Sequence, residues 1–411
     1  MSSNFGTSHK GNEFVPLLFA GDINVYSMSR AFHEAFGCIP TVYGKYATGV
    51  CMNSAIMTYI PNKNADQPEE FIRLVHTFAR DNADRTVLLL GCGDSYVELI
   101  ADAKSHGFLP ENVVAPYIDI ALMEQLTNKE HFYELCDQKG IDRPDTFVYH
   151  NGDSLDFVLP FEGPFILKPS NGPEYWAHPY ETQKKVYKLN TVDEIKSVIM
   201  DIYGAGYEDS VIIQNFIPGD DSYMRVLTSY SDRNGKVKAM CLGHVILEEH
   251  TPHGLGNHAV ILTERDDALM MKFKDLLEDL HYTGFSNFDI KYDERDRKFK
   301  AFEINTRQGR SNYYMTQSGA NLAELVVGDV IDGDELEFMI ADEEKLWTVI
   351  PMKLALKYAN PKYREEMTKR WKAGNADNPM YYNPDRNTAR NTFLVKNQYG
   401  QYYKFWKYCR K

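Results

Sequence analysis

"GFSNFDIKYDERDRKFKAFEINTRQGR", residues 284–310, decides how this chain is read. Side chains along a β-strand alternate between two faces, so Phe288 and Ile290 fall on one side while Asn287, Asp289 and Lys291 fall on the other. The run "KAFEIN" repeats the pattern, with Phe302 and Ile304 apolar and Ala301, Glu303 and Asn305 opposite. Asp289 and Glu303 are equidistant in sequence from Asp296, so a hairpin turning near "DERDR" brings the two carboxylates across from one another. Facing carboxylates repel unless a cation lies between them, and Asp, Glu and Asn oxygens are the hard donors that Mg2+ prefers. Magnesium keeps some of its water and binds substrate phosphates, and Arg307 and Arg310 follow as cations suited to a nucleotide triphosphate. The plain alternative is an exposed hairpin edge whose polar face only meets water.

The rest of the chain narrows the choice. Its 411 residues suffice for two or three cores of ordinary domain size. The acidic excess leaves a net charge of -13, which repels phosphate backbones and makes nucleic acid a poor partner. An anionic ligand therefore needs a local basic cluster. Cys38, Cys51, Cys92, Cys136, Cys241 and Cys409 are scattered without a CxxC pair, so no zinc or redox motif is indicated. His244, His250, His253 and His258 lack a regular zinc-ligand spacing and read as part of a mobile loop. The start lacks a signal-peptide run, and no later segment approaches the roughly 18 apolar residues of a membrane span. The expected address is the cytoplasm; the oligomeric state stays open.

Residues 14–120 alternate strand and helix patterns, which implies a small parallel α/β sheet. "GCGDSY" follows a strand, but Tyr96 stands where a dinucleotide fingerprint has its third glycine, so a plain strand-to-helix turn is expected. "LTNKEHFYELCDQKG" reads as a helix with Thr127 or Asn128 at its start and Gly140 at its stop. "FILKPS" and "SVIIQNFIPGDD" are strands with polar endings, and residues 222–263 read as antiparallel strands joined at "SDRNGK". Beyond about residue 335 comes a tail rich in aromatic and basic residues.

These pieces resemble the ATP-grasp superfamily, whose strand ends supply two lysines, a hinge residue, and then Asp, Glu, Asn and Arg in that order. The resemblance implies an α/β ATP-grasp fold, α+β in its catalytic part. It divides the chain into a Rossmann-like N-terminal domain over 1–125, a lid subdomain over 126–206, a catalytic subdomain over 207–335 and a C-terminal extension over 336–411. By the same resemblance Lys129 and Lys168 hold ATP phosphates. Gln214 reads the adenine amino group with Asn215, Phe216 and Ile217 alongside, and Asp220 or Asp221 meets the ribose. Asp289, Glu303 and Asn305 hold Mg2+, and Arg307 lies beside the transferred phosphate. "APYIDIALMEQLTNKEHFYE", "IIQNFIPGDDSYMRVL" and "MCLGHVILEEHTPHGLGN" are further similar to the D-aspartate ligases of Gram-positive bacteria, which attach D-aspartate to a lysine side chain of peptidoglycan precursors. The chain departs from many superfamily members at "NGPEYWAHPYETQKKV", which stands where a glycine-rich phosphate-covering loop is usual.

The implied reaction is ATP-dependent acylphosphate formation followed by attack of an amine. Asn24, Arg30, Arg225, His258 and Arg310 are candidates for binding the amino-acid or peptide substrate; for the arginines the alternative is an ordinary ion pair or surface position. Lys396, Lys404, Lys407, Arg410 and Lys411, interleaved with aromatics, read either as a surface for anionic membrane or for the precursor, or as a packed tail. The rival functions are a ligase for another amino-acid pair and a nucleotide-binding regulator without turnover.

Overall fold

Near-continuous apolar runs at Phe14–Phe19 and Thr86–Gly91 mark strands that must be covered on both faces. In the computed structural model, which describes residues 14–252 and 254–409, both are central in a five-stranded sheet. Its order is Thr58–Pro61, Thr41–Gly44, Phe14–Phe19, Thr86–Gly91, Val113–Val114, parallel throughout. Leu17, Leu18, Phe19, Leu88, Leu89 and Leu90 are sealed from solvent. The helix Ile23–Phe36 starts at Asp22, whose carboxylate accepts from the Asn24 amide at 3.1 Å, and ends at Gly37 with φ 65°. "GCGDSY" is a strand-to-helix turn leading into Asp94–Ser105. A Cβ at Gly91 would lie 2.7 Å from Val97 Cγ2, so glycine there serves close strand–helix packing.

The described chain divides into two compact units. The larger holds the residues up to Ile120, Val226–Asn287 and Asn305 onward; the smaller holds Ala121–Arg225 and Phe288–Ile304. The larger unit contains a second, mainly antiparallel sheet, in which Val237–Glu248 pairs with His258–Glu264 and that strand with Leu346–Thr348. On the other side of Val237–Glu248 lies Met224–Ser231.

A buried ion pair within the C-terminal segment is held against the N-terminal helix Ile23–Phe36 and the loop at Ser54 and Ala55. Arg390 Nε lies 3.0 Å from Asp385 Oδ2, with the two side chains 1% and 0% exposed. Asp385 also accepts from Tyr26 Oη at 2.7 Å, Ser54 Oγ at 2.9 Å and the Ala55 amide, and the guanidinium lies 4.5 Å from the Tyr26 ring centroid. Removing one partner strands the other charge in the interior. Asp385→Ala is therefore expected to cost about 3–5 kcal/mol in a urea titration; a loss below about 1 kcal/mol, the scale of an exposed pair, would contradict this assignment.

The smaller unit is built on an antiparallel sheet of order Thr146–Tyr149, Val211–Asn215, Phe165–Pro169, Tyr187–Leu189. The helix Val192–Gly204 begins with a complete capping box between Thr191 and Glu194 and buries Ile195, Ile199 and Ile202 against the sheet's Phe165, Leu167, Val211 and Ile213. Where a glycine-rich loop is usual, this chain forms the short helix Gly172–Ala177. Tyr175 Oη lies 2.8 Å from Tyr180 Oη and 2.9 Å from Tyr187 Oη, so the segment is closed by side-chain packing. All six cysteines are unpaired, and among the described residues no helix is long and apolar enough to cross a membrane.

Candidate active site

The hairpin of the opening stretch is present as Gly284–Asp293 and Lys298–Asn305, neighbours in one sheet. Phe288 and Ile290 are fully buried while Asp289 and Lys291 keep exposed surface, as the two-residue period requires. Asp293 holds the turn. Its carbonyl accepts from the Arg297 amide at 2.8 Å, and its carboxylate takes Arg295 Nη2 at 2.6 Å and Lys300 Nζ at 2.9 Å. The hydrogen bond from Arg295 holds the Asp293 carboxyl well below the usual carboxylate range.

Three features of the smaller unit converge on this hairpin. Lys129 opens the helix Lys129–Lys139, capped by the Asn128 side chain, and its Nζ lies 3.8 Å from Glu303 Oε2. Lys168, near the end of Phe165–Pro169, donates to Tyr133 Oη at 3.0 Å. Although one side of Lys168 stays open, burial pushes its ammonium down to about 8; Glu303 and Asp289 oppose that shift and Lys185 adds to it. Two carboxylates and two further lysines thus act electrostatically at one spot. Tyr133, which the sequence reading passed over, links them: its hydroxyl donates to the Phe302 carbonyl at 2.8 Å while accepting from Lys168. Tyr133→Phe is expected to lower kcat/KM for ATP roughly tenfold, the worth of one hydrogen bond to a charged group. It should also cost about 1–2 kcal/mol of stability through the unpaired Phe302 carbonyl; unchanged ATP kinetics would remove Tyr133 from the site.

Val211–Asn215 ends in the residues expected at the hinge. Gln214 is buried and donates from Nε2 to Thr146 Oγ1 at 3.0 Å, with a further side-chain hydrogen bond to Tyr133. Asn215 donates to the Glu162 carbonyl at 2.6 Å, yet its buried Oδ1 has no partner among the described residues. An acceptor left unmet at this depth is costly and suits an incoming amino group. Lys188 lies 3.8 Å and Lys291 5.5 Å from the Phe216 ring centroid, and Lys291 Nζ donates to the Ile217 carbonyl at 2.9 Å. Asp220 accepts from the amide and hydroxyl of Ser222, so it shapes the turn that presents Asp221.

Arg225 is engaged with backbone carbonyls of its own segment. It is buried, donates to the carbonyls of Ser222 and Met224, and packs 5.5 Å from the Phe299 ring centroid. Arg30 is likewise engaged within the protein. Its three nitrogens meet Glu34, Pro379 O and Asp377 at 2.8–3.0 Å, and Tyr313 and Tyr382 lie against its guanidinium at 4.2 and 4.7 Å. Every polar edge is engaged, so Arg30 is an anchor. Asn24 is also spent internally, donating to the Gln308 carbonyl at 3.1 Å and accepting from Asn312 at 2.5 Å. It holds the loop that bears Arg307 and Arg310.

On that loop Arg307 makes a two-pronged pair with Asp94, at 2.6 and 2.9 Å, and donates to Asn305 Oδ1 at 3.3 Å. Asp94 is exposed, which limits the pair to about 1 kcal/mol or less. Arg310 Nη1 is buried without a partner among the described residues, and His258 lies 3.3 Å from Ser311 Oγ. Desolvation raises the Asp22 carboxyl above its usual value against the pull of Arg310, although Asp22 keeps exposed surface. His253 lies outside the described residues. Among those described, no three His, Cys, Asp or Glu side chains gather as a metal cage. Two carboxylates and an amide oxygen do not make a zinc site, but they fit a Mg2+ that takes its other ligands from water and phosphate.

No family model matches the chain. It is 38% identical over 412 residues, 96% of each sequence, to the D-aspartate ligase of Enterococcus faecium (strain Aus0004). Among solved structures it is similar to the L-amino acid ligase from Bacillus licheniformis, with TM-score 0.53 and 15% identity over 77% of this chain and 74% of that one. It is also similar to the biotin carboxylase domain of the Hydrogenobacter thermophilus 2-oxoglutarate carboxylase in complex with MgADP and bicarbonate, with TM-score 0.60 and 12% identity over 80% and 73%. The distant structures share the fold, and the likeness to the Enterococcus protein runs through nearly the whole of both chains: this protein belongs to the D-aspartate ligase family of ATP-grasp enzymes and is an ATP-dependent ligase.

Proposed function

We propose that the enzyme activates the side-chain carboxylate of D-aspartate as an acylphosphate and joins it to the lysine side-chain amine of a UDP-N-acetylmuramoyl peptide. The observation that carries this reading is the half-buried Lys168 ammonium beside Asp289 and Glu303, with Lys129 on Glu303, in a relative of a D-aspartate ligase. In the first step a carboxylate oxygen bonds to the γ-phosphorus of ATP and the bond to the bridging oxygen breaks, releasing ADP. In the second, the amine nitrogen attacks the acyl carbon, phosphate leaves, and the nitrogen gives up a proton. No protein nucleophile is required, so the protein's part is positioning and charge neutralisation.

Lys129 and Lys168 neutralise the phosphates, Gln214 with Asn215, Phe216 and Ile217 receives the adenine, and Asp220 or Asp221 meets the ribose. Asp289, Glu303 and Asn305 hold Mg2+, which supplies charge neutralisation on the phosphate oxygens. Arg307 exchanges its weak contact with exposed Asp94 for the transferred phosphate, and the unmatched Arg310 Nη1 takes a carboxylate of the amino acid, with His258 beside it. We assign residues 1–125 to a Rossmann-like domain, 126–206 to the lid, 207–335 to the catalytic part and 336–411 to an extension. ATP and a nucleotide-linked acceptor are cytoplasmic compounds, which places the reaction in the cytoplasm. The test is phosphate release across D- and L-amino acids with the lysine peptide, and mass analysis of the product. Release requiring D-aspartate and the acceptor, with an added aspartyl amide, is expected; a different amino acid or acceptor would keep the ligase and reject this pair.

A further inference from the structure

The C-terminal helix Thr388–Tyr408 has two unlike faces. Its inner face holds it to the larger unit: Arg390, Leu394 and Phe405 are buried, the Phe405 and Tyr358 rings pack at 5.4 Å, and Lys404 pairs with Glu249 at 2.8 Å. Its outer face carries Val395, Tyr399, Tyr402, Tyr403 and Trp406, exposed by 52, 73, 42, 58 and 58%. Steps of four, three, one and three residues keep these on one stripe of a helix that turns about 100° per residue. Lys396 and Lys407 flank the stripe, the latter 5.9 Å from the Tyr403 ring centroid. From Thr388 to Lys411 the sequence contains no Asp or Glu, in a chain whose net charge is -13.

We propose that this face docks on the surface of an anionic phospholipid bilayer. Tyrosine and tryptophan side chains, apolar in body and polar at the tip, are suited to the headgroup level, and lysines beside them meet the negative surface potential. The helix is oriented to lie in that plane because its opposite face is already committed to the protein. A second copy of this chain is a poorer occupant, since a two-fold contact would set Lys396 and Lys407 against their like charges. The inference is independent of which amino acid and acceptor the enzyme joins.

The test is co-sedimentation of the full chain with vesicles of phosphatidylglycerol and phosphatidylcholine, beside vesicles of phosphatidylcholine alone. Binding to the anionic vesicles at low salt and release at high salt are expected. The triple variant Tyr399→Ser, Tyr403→Ser, Trp406→Ser and the charge variant Lys396→Glu, Lys407→Glu should each lower the bound fraction roughly fivefold or more. Thermal melting checks that each variant is folded, and ATP-dependent turnover in solution should be unchanged. Sedimentation of the parent with neither vesicle, equal sedimentation with both, or retained binding in folded variants would overturn the proposal. So would a parent dimer that the triple variant dissolves, which would give the face to self-association.

Discussion

Glu303→Gln should lower ADP formation by roughly 10³-fold, the scale of several kcal/mol of lost charge stabilisation, while the protein melts within a few degrees of the parent. The two halves of this expectation have separate causes. Glu303 is part of the oxygen set that would hold Mg2+, and an amide of the same shape keeps the volume but gives up the charge. Its side chain is 37% exposed and its pair with Lys129 is long, at 3.8 Å, and exposed charges of this kind contribute little to folding. Asp289→Asn should behave in the same way. Normal turnover in either variant would remove the metal from the assigned position; a cooperative loss of structure would recast the carboxylates as structural.

Lys168 supplies the second large effect, in the pH dependence of kcat/KM for ATP. Burial lowers its pKa from the ordinary 10.5 to about 8, so the free enzyme loses this cation as pH rises through 8. The profile of kcat/KM, which reports the free enzyme, should fall above about pH 8 by up to tenfold per unit. Stability runs the other way. Between about 8 and 10.5 the unfolded chain binds more protons at this lysine than the folded one, so its contribution to stability rises with pH across that window and is lost as pH falls back through it. Lys168→Arg keeps its charge throughout; the alkaline limb should vanish even if the bulkier fork lowers the plateau. Lys168→Met should lower kcat/KM by roughly 10²–10³-fold at neutral pH. An alkaline limb that survives in the arginine variant would assign it to another group.

The contrast between the hairpin and the arginines shows what one sequence can disclose. A two-residue period needs only local information, so the buried Phe288 and Ile290 and the open Asp289 were legible directly. The same holds for the cap at Asn128 and the left-handed stop at Gly140, because both act within one helical turn. The internal partners of Arg30, Arg225 and Asn24 were not legible, because the use of a polar side chain is decided by what the fold brings to it. Those of Arg30 include Asp377 and Pro379, in a remote part of the chain. Tyr133 and Asp94 escaped notice for the same reason: a tyrosine on a helix and an acid in a helix's first turn look ordinary until the partner lysine or arginine is placed. Tyr175 and Tyr180 were visible only as part of a departure from glycine; that their hydroxyls meet that of Tyr187 is a property of the folded segment.

The most direct test of carboxylate activation follows one oxygen atom. With D-aspartate labelled by 18O in its side-chain carboxylate, ATP and the lysine-bearing acceptor, acylphosphate chemistry requires one labelled oxygen to leave in each phosphate released, which mass analysis of the phosphate reads directly. Label in phosphate, matched to amide formed, is the predicted result. Amide formed with unlabelled phosphate would contradict the account, because the carboxylate would then never have been bonded to phosphorus.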